Sequence, residues 1–124
     1  MSAKILIADD EPNILISLEF LMKREGYQVA LARDGQEALD AIARDRPDLV
    51  LLDVMMPRKT GFDVCQALRA DESSRGVIVV MLTAKGRDTD LAKGMALGAD
   101  AYMTKPFSTK ELVQTVRELL QARA

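Results

Sequence analysis

The sequence predicts an α/β domain built on a doubly wound parallel sheet of strand order 2-1-3-4-5, with helices on both faces. Three observations carry this. Short apolar runs alternate five times with segments of helical periodicity. The central run, Asp48-Leu49-Val50-Leu51-Leu52-Asp53, lacks polar alternation, as a strand buried on both faces does. The runs also end on polar groups: Asp9-Asp10 after the first, Asp53 after the third, Thr83 after the fourth and Lys105 after the fifth.

The elements follow in order. Lys4-Ile5-Leu6-Ile7-Ala8 is the first strand. Pro12 suits the first turn of a helix, and Ile14, Leu15, Leu18, Leu21 and Met22 form its core stripe up to Gly26. Ile16 and Phe20 lie off that stripe, so an early residue of this helix is expected to stay exposed beside the acidic end. Tyr27 to Leu31 is the second strand, and its alternation marks an edge. Asp34 with Glu37 makes a capping box for the next helix, which turns Ala38, Leu39 and Ile42 inward and closes at Arg46-Pro47.

After the Asp53 strand comes the loop Arg58-Lys59-Thr60-Gly61, then a helix from about Gly61 to about Ala70 with Val64, Cys65 and Leu68 inward. Asp71 to Gly76 is a polar connection. Val77 to Leu82, β-branched and apolar, is the fourth strand. The fourth helix, about Thr89 to Leu97, is weak: Gly94 sits inside it, and Leu91 and Met95 are its main large anchors. Asp100 to Thr104 is the fifth strand. Ser108 and Glu111 form a capping box for the last helix, Phe107 can staple onto Leu112, and Leu112, Val113, Val116, Leu119 and Leu120 are its stripe.

Composition narrows the function classes. The 124 residues fit one domain over 1–124, with no output domain in this chain. A net charge of -2 speaks against a nucleic-acid surface. No apolar run is long enough to span a bilayer, and no leader is expected at the amino end, so no membrane contact is expected. The lone Cys65 reads as a small buried hydrophobe. Histidine is absent, which removes His-based triads and His-containing zinc sites. The setting expected from this is reducing and cytoplasmic.

In the predicted strand order, Asp9, Asp10, Asp53, Thr83 and Lys105 converge on one crevice. Packed carboxylates repel and call for a cation. Oxygen ligands without His or Cys select magnesium, with manganese as the alternative. A metal, an ammonium and a hydroxyl around a carboxylate make a phosphoryl site, with Asp53 as nucleophile. Taken singly, Asp10 reads equally as a helix-end residue, Thr83 reads first as a cap of the fourth helix, and Lys105 reads as a surface lysine. The joint placement favours the site.

The motifs Ile5-Leu6-Ile7-Ala8-Asp9-Asp10, Pro47 to Asp53, Met56-Pro57 with Gly61, Leu82-Thr83-Ala84, Gly98-Ala99-Asp100-Ala101-Tyr102 and Lys105-Pro106-Phe107 together resemble the receiver domains of two-component response regulators. The resemblance spans essentially the whole chain and implies a flavodoxin-like fold of the chemotaxis-regulator kind. It implies that Asp53 accepts a phosphoryl group from a histidine kinase or a histidine phosphotransfer protein. It implies magnesium held by Asp10, Asp53 and the Met55 backbone carbonyl, with Asp9 acting through water. Thr83, Lys105 and the Ala84 backbone would bind the phosphoryl oxygens. Thr83 and Tyr102 would form a switch read on the fourth helix, fifth strand and fifth helix, and the bond before Pro106 would be cis. Such a domain is a regulatory phosphoacceptor, not an enzyme acting on other substrates. It acts on an output domain or effector outside this chain, as a monomer or a phosphorylation-dependent dimer.

Departures from the family pattern are few. Thr60 stands where many relatives carry an acid. Met55 and Lys85 flank the path of an attacking water, and Ala101 and Thr115 weaken the dimer of the winged-helix subfamily. A haloacid-dehalogenase-type phosphatase needs an aspartate two residues past the nucleophile, where Met55 stands. A flavodoxin-like cofactor binder needs a phosphate loop where Asp9-Asp10-Glu11-Pro12 stands. A degenerate receiver would lack some of the site residues, all of which are present.

Overall fold

The computed structural model describes residues 2–84 and 88–123, with the side chains of Asp88 and Asp90 left aside. The elements alternate as β1 (Lys4–Ala8), α1 (Pro12–Arg24), β2 (Gln28–Ala32), α2 (Gly35–Arg44), β3 (Leu49–Asp53), α3 (Gly61–Ala70), β4 (Ile78–Ala84), α4 (Asp88–Ala96), β5 (Ala101–Lys105) and α5 (Thr109–Arg123). The sheet is parallel, in the order β2-β1-β3-β4-β5. Short βα and αβ connections leave no room for antiparallel pairing, so each helix crosses back over the sheet.

Successive strand residues feed two separate cores. Ile5, Ile7, Leu49, Leu51, Ile78, Val80 and Leu82 pack under α1 and α5 with Leu18, Met22, Leu112 and Val116. Leu6, Val50, Leu52, Val79 and Met81 pack on the other face with Ile42, Val64, Cys65 and Leu68 from α2 and α3. Every residue of β3 is buried, as expected for the middle strand of a sheet covered on both sides. β2 is an edge, with only Ala32 of its five residues buried. Its exposure does not alternate cleanly, and it begins one residue later than its sequence pattern implies, because the edge has a partner on one side only.

Further sequence expectations need correction. Glu37 does not close a capping box on Asp34: Asp34 accepts the Glu37 amide at 2.8 Å, but the Glu37 carboxylate reaches the Arg33 amide instead, at 3.1 Å. β4 runs on through Thr83 to Ala84, because β5 pairs with it that far. Leu91 and Met95 do not anchor α4; they are 42% and 48% exposed. Ile16 and Phe20 on α1 are exposed, as their place off the stripe implies. Cys65 is buried, with its thiol directed to the Leu97 carbonyl at 3.7 Å.

One fastening was not legible in the sequence. Arg69, in the last turn of α3, donates to the carbonyls of Gly98 (3.0 and 2.8 Å), Arg75 (2.9 Å) and Val77, and to the Asp100 carboxylate at 2.9 Å. Asp100 in turn accepts the Val79 amide at 2.8 Å. A planar fork with five donors suits this set, and an ammonium does not. Arg69→Ala strips several carbonyls of their donor and should cost about 2–4 kcal/mol in urea denaturation. Arg69→Lys should recover only part of it. An Arg69→Ala variant within about 0.5 kcal/mol of wild type would remove the clamp from this account.

Candidate functional site

β1, β3, β4 and β5 end on the same side of the sheet, and the polar groups that stop them meet there. Asp9 follows β1 and is fully buried; its carboxylate accepts the Glu11 amide at 2.9 Å, which turns it into the crevice. Asp53 ends β3 and is 5% exposed. Asp10 is exposed at the rim. Carboxylate oxygens of Asp9, Asp10 and Asp53 lie within 4.8 Å of one another. Lys105 ends β5, and its Nζ sits 2.8 Å from Asp9 Oδ2, 3.3 Å from Glu11 Oε1 and 3.6 Å from Asp53 Oδ1. Thr83 is buried in β4, one residue past Leu82, the register partner of Asp53. The four predicted charged residues thus come together, with Thr83 on the adjoining strand.

Burial, and charge repulsion after it, govern the crevice. Burial, and next the charge of Asp9, push the Asp53 carboxyl up to about 7. The Lys105 ammonium and a hydrogen bond from the Met55 amide pull it back, while a hydrogen bond to the Asp10 carboxyl raises it further. Burial works against the Lys105 ammonium, but its hydrogen bond to Asp9 and the charges of Asp53, Asp9 and Glu11 outweigh it, so its pKa is raised. One ammonium therefore faces several carboxylates, and Asp53 holds a proton more tightly than a free carboxyl does. A divalent cation would favour the ionised form of Asp53. The donor set is all oxygen, which suits a hard ion such as magnesium.

The loop after β3 is shaped by close approaches. A Cβ on Gly61 would run into the Asp53 carbonyl, and one on Gly35 into the Lys59 backbone. Gly61 also donates its amide to Val54 at 2.9 Å. Arg58 holds a positive φ of 68° and pairs with Asp34 at 3.2 Å, tying the loop to the start of α2. Thr60 has a local reason. Its hydroxyl accepts the Asp63 amide at 3.2 Å and the Asp63 carboxylate accepts the Thr60 amide at 3.0 Å, a full capping box for α3. The Thr-x-x-Asp spacing carried that signal. The Met55 side chain is 53% exposed beside the crevice. The Lys105–Pro106 peptide is cis. Tyr102 is half-buried and packs toward α4. Lys85 lies outside the described residues. The Glu11 contact to Lys105 had no sequence signal beyond its place after Asp10.

The family model for the response regulator receiver domain matches residues 5–117. The chain belongs to that receiver-domain family. It is 47% identical over 121 residues to the DNA-binding response regulator MtrA of Mycolicibacterium smegmatis, covering 98% of this chain and 52% of MtrA. The chain thus spans about half the length of that relative. The chemotaxis response regulator CheY4 of Vibrio cholerae superposes with a TM-score of 0.89 at 32% identity, covering 95% of this chain and 98% of that one. The receiver domain of a sensor histidine kinase from Pseudomonas aeruginosa superposes at a TM-score of 0.89 and 29% identity, covering 98% and 99%. That structure holds a magnesium ion in its active-site cleft. Receiver domains are regulatory modules of two-component systems, and the acidic cluster here is compatible with the ion they bind. No helix among the described residues is long and apolar enough to cross a membrane.

The raised Asp53 pKa has a sign that can be tested. Folded Asp53 holds its proton more tightly than the unfolded chain does. The stability this gives is complete below 3.8 and is lost as pH rises through about 7. No histidine titrates in that window. Metal-free protein should therefore lose urea-denaturation stability between those values, and saturating magnesium, which binds the ionised form, should cancel the loss. A stabilisation by magnesium that is the same across this window would contradict the assignment.

Proposed function

We propose that this receiver domain is a phosphoacceptor whose acceptor is Asp53, loaded from a phosphohistidine on a histidine kinase or a histidine phosphotransfer protein. The observation that supports this best is a buried carboxylate at the end of the central strand, 3.6 Å from an ammonium and clustered with two further acids. On this reading, Asp10, Asp53 and the Met55 carbonyl hold magnesium and Asp9 acts through water. Once bound, the ion neutralises charge on the phosphoryl oxygens. Manganese satisfies the same donors.

The residues of the chain then divide the work. An Asp53 carboxylate oxygen attacks phosphorus and forms the new O–P bond. The P–N bond of the donor breaks, and its electron pair returns to the imidazole nitrogen. No general base is required, because an ionised carboxylate has no proton to lose. Lys105 already lies within ion-pair distance of Asp53 and passes from carboxylate to phosphoryl oxygen. The Thr83 hydroxyl and the Ala84 amide donate to another oxygen. Thr83 moves toward the new charge, Tyr102 follows it, and the surface of α4, β5 and α5 changes. The output domain or effector that reads this surface is a partner of the domain.

Intact mass after incubation with acetyl phosphate and magnesium tests the acceptor. Wild type should gain one phosphoryl adduct, and Asp53→Asn, or wild type without divalent metal, should gain none. An adduct that survives in Asp53→Asn, or no adduct with any divalent metal, would sink the proposal.

A further inference from the structure

In the ligand set proposed for magnesium, one oxygen belongs to the backbone, at Met55. A side-chain ligand can rotate to meet an ion. A peptide carbonyl goes where its planar peptide unit goes. Whatever fixes the chain between β3 and α3 therefore fixes that ligand.

The near end of this loop is tied to the sheet. Val54 donates its amide to the Leu82 carbonyl at 2.9 Å and accepts the Gly61 amide at 2.9 Å. Met56 is 6% exposed and packs in the core with residues of α2 and α3. The outer turn is different. Pro57, Arg58 and Lys59 are exposed, and Lys59 donates its amide back to the Pro57 carbonyl at 2.8 Å. Arg58 sits at a φ of 68°, in the left-handed region that disfavours a residue with a Cβ. A short turn bent this way needs support from its surroundings.

That support is the amino end of α2. Gly35, the first residue of α2, is buried. A Cβ on it would run into the Lys59 carbonyl oxygen and stand 2.5 Å from both the carbonyl carbon and the Cβ of Lys59. The contact is mainly with backbone, so turning a side chain does not relieve it. Beside it, Asp34 is 8% exposed. Its Oδ2 accepts Arg58 Nη1 at 3.2 Å and its Oδ1 accepts the Glu37 amide at 2.8 Å. One carboxylate thus caps α2 and grips the residue at positive φ.

We infer that Asp34 and Gly35 are positioning residues for the magnesium site: the amino end of α2 sets the β3–α3 loop, and with it the Met55 carbonyl, although neither residue is among the ligands. The seat stands on packing and the ion pair. Its link to magnesium rests on the ligand set proposed above.

Calorimetric titration of the full chain with magnesium chloride tests this, beside urea denaturation without metal. Alanine in place of a helical glycine strengthens a helix where there is room. Here Lys59 must give way, so Gly35→Ala should bind magnesium about tenfold more weakly than wild type, as changes behind a metal's ligands do. Asp34→Asn keeps the cap but loses the charge pair, and should weaken binding about threefold. Asp40→Asn removes an exposed acid of α2 that bonds Gln36 instead of the loop, and should stay within about 1.5-fold of wild type at physiological salt. A Gly35→Ala variant that is less stable yet binds magnesium like wild type would show that α2 yields and the loop does not, and would overturn the inference. If that variant does not fold, Asp34→Asn binding no more weakly than Asp40→Asn overturns it instead. A tenfold loss in Gly35→Ala with Asp34→Asn matching Asp40→Asn would keep the seat and remove Asp34 from it. Wild type that binds no magnesium would overturn the ligand set itself, and this inference with it.

Discussion

Burial of Asp53 beside the like charge of Asp9, with Asp10 at the rim, is the constraint on which the rest of this structure depends. Their oxygens are held within 4.8 Å by the ends of two strands, and two of the three side chains are buried. Such a group is costly to keep ionised. One lysine, delivered by the far edge of the sheet, offsets part of the cost, and protonation of Asp53 or a divalent cation offsets more of it. The strand order brings these groups together. It sets β1, β3, β4 and β5 side by side, so residues as far apart in sequence as Asp9 and Lys105 meet in one crevice. The two cores on either face hold the strand ends still, while the crevice carries the unsatisfied charge.

The same arrangement makes the crevice responsive. A group whose protonation is balanced among burial, a like charge and an ammonium changes state with a small input. Placing a phosphoryl group there changes the charge that Lys105 and Thr83 face. Thr83 lies on the sheet face that supports Tyr102 and α4, and α4 is the helix with the least side-chain burial among the described residues. A local electrostatic change therefore sits next to the most weakly seated helix, with α3 and β4 clamped to the far end of that helix by Arg69.

Much of this was legible in the sequence, and the reason is geometric. Parallel strands put chemistry at their carboxyl ends, so Asp9, Asp53, Thr83 and Lys105 could be read from where apolar runs stop. Helix stripes on α1, α3 and α5 followed from period. What stayed hidden depended on contacts between distant segments. Nothing near Arg69 in sequence reveals that its donors serve Gly98 and Asp100. Glu11 looks like a helix-end acid until Lys105 is seen beside it. Leu91 and Met95 look like anchors because apolar residues usually are, yet both are exposed, and among the described residues of α4 the buried one is Gly94. Thr60 was legible in principle, through its spacing from Asp63, but reads first as a departure from its family.

The central claim is that the crevice holds Asp53 near the balance between its two protonation states until a divalent cation fixes it as the carboxylate. A carboxyl-carbon NMR titration of Asp53 tests this directly, in metal-free protein and with saturating magnesium. The account predicts a metal-free midpoint of about 7 and a large downward displacement when magnesium is present. A metal-free midpoint in the ordinary range near 3.8, unmoved by magnesium, would contradict it.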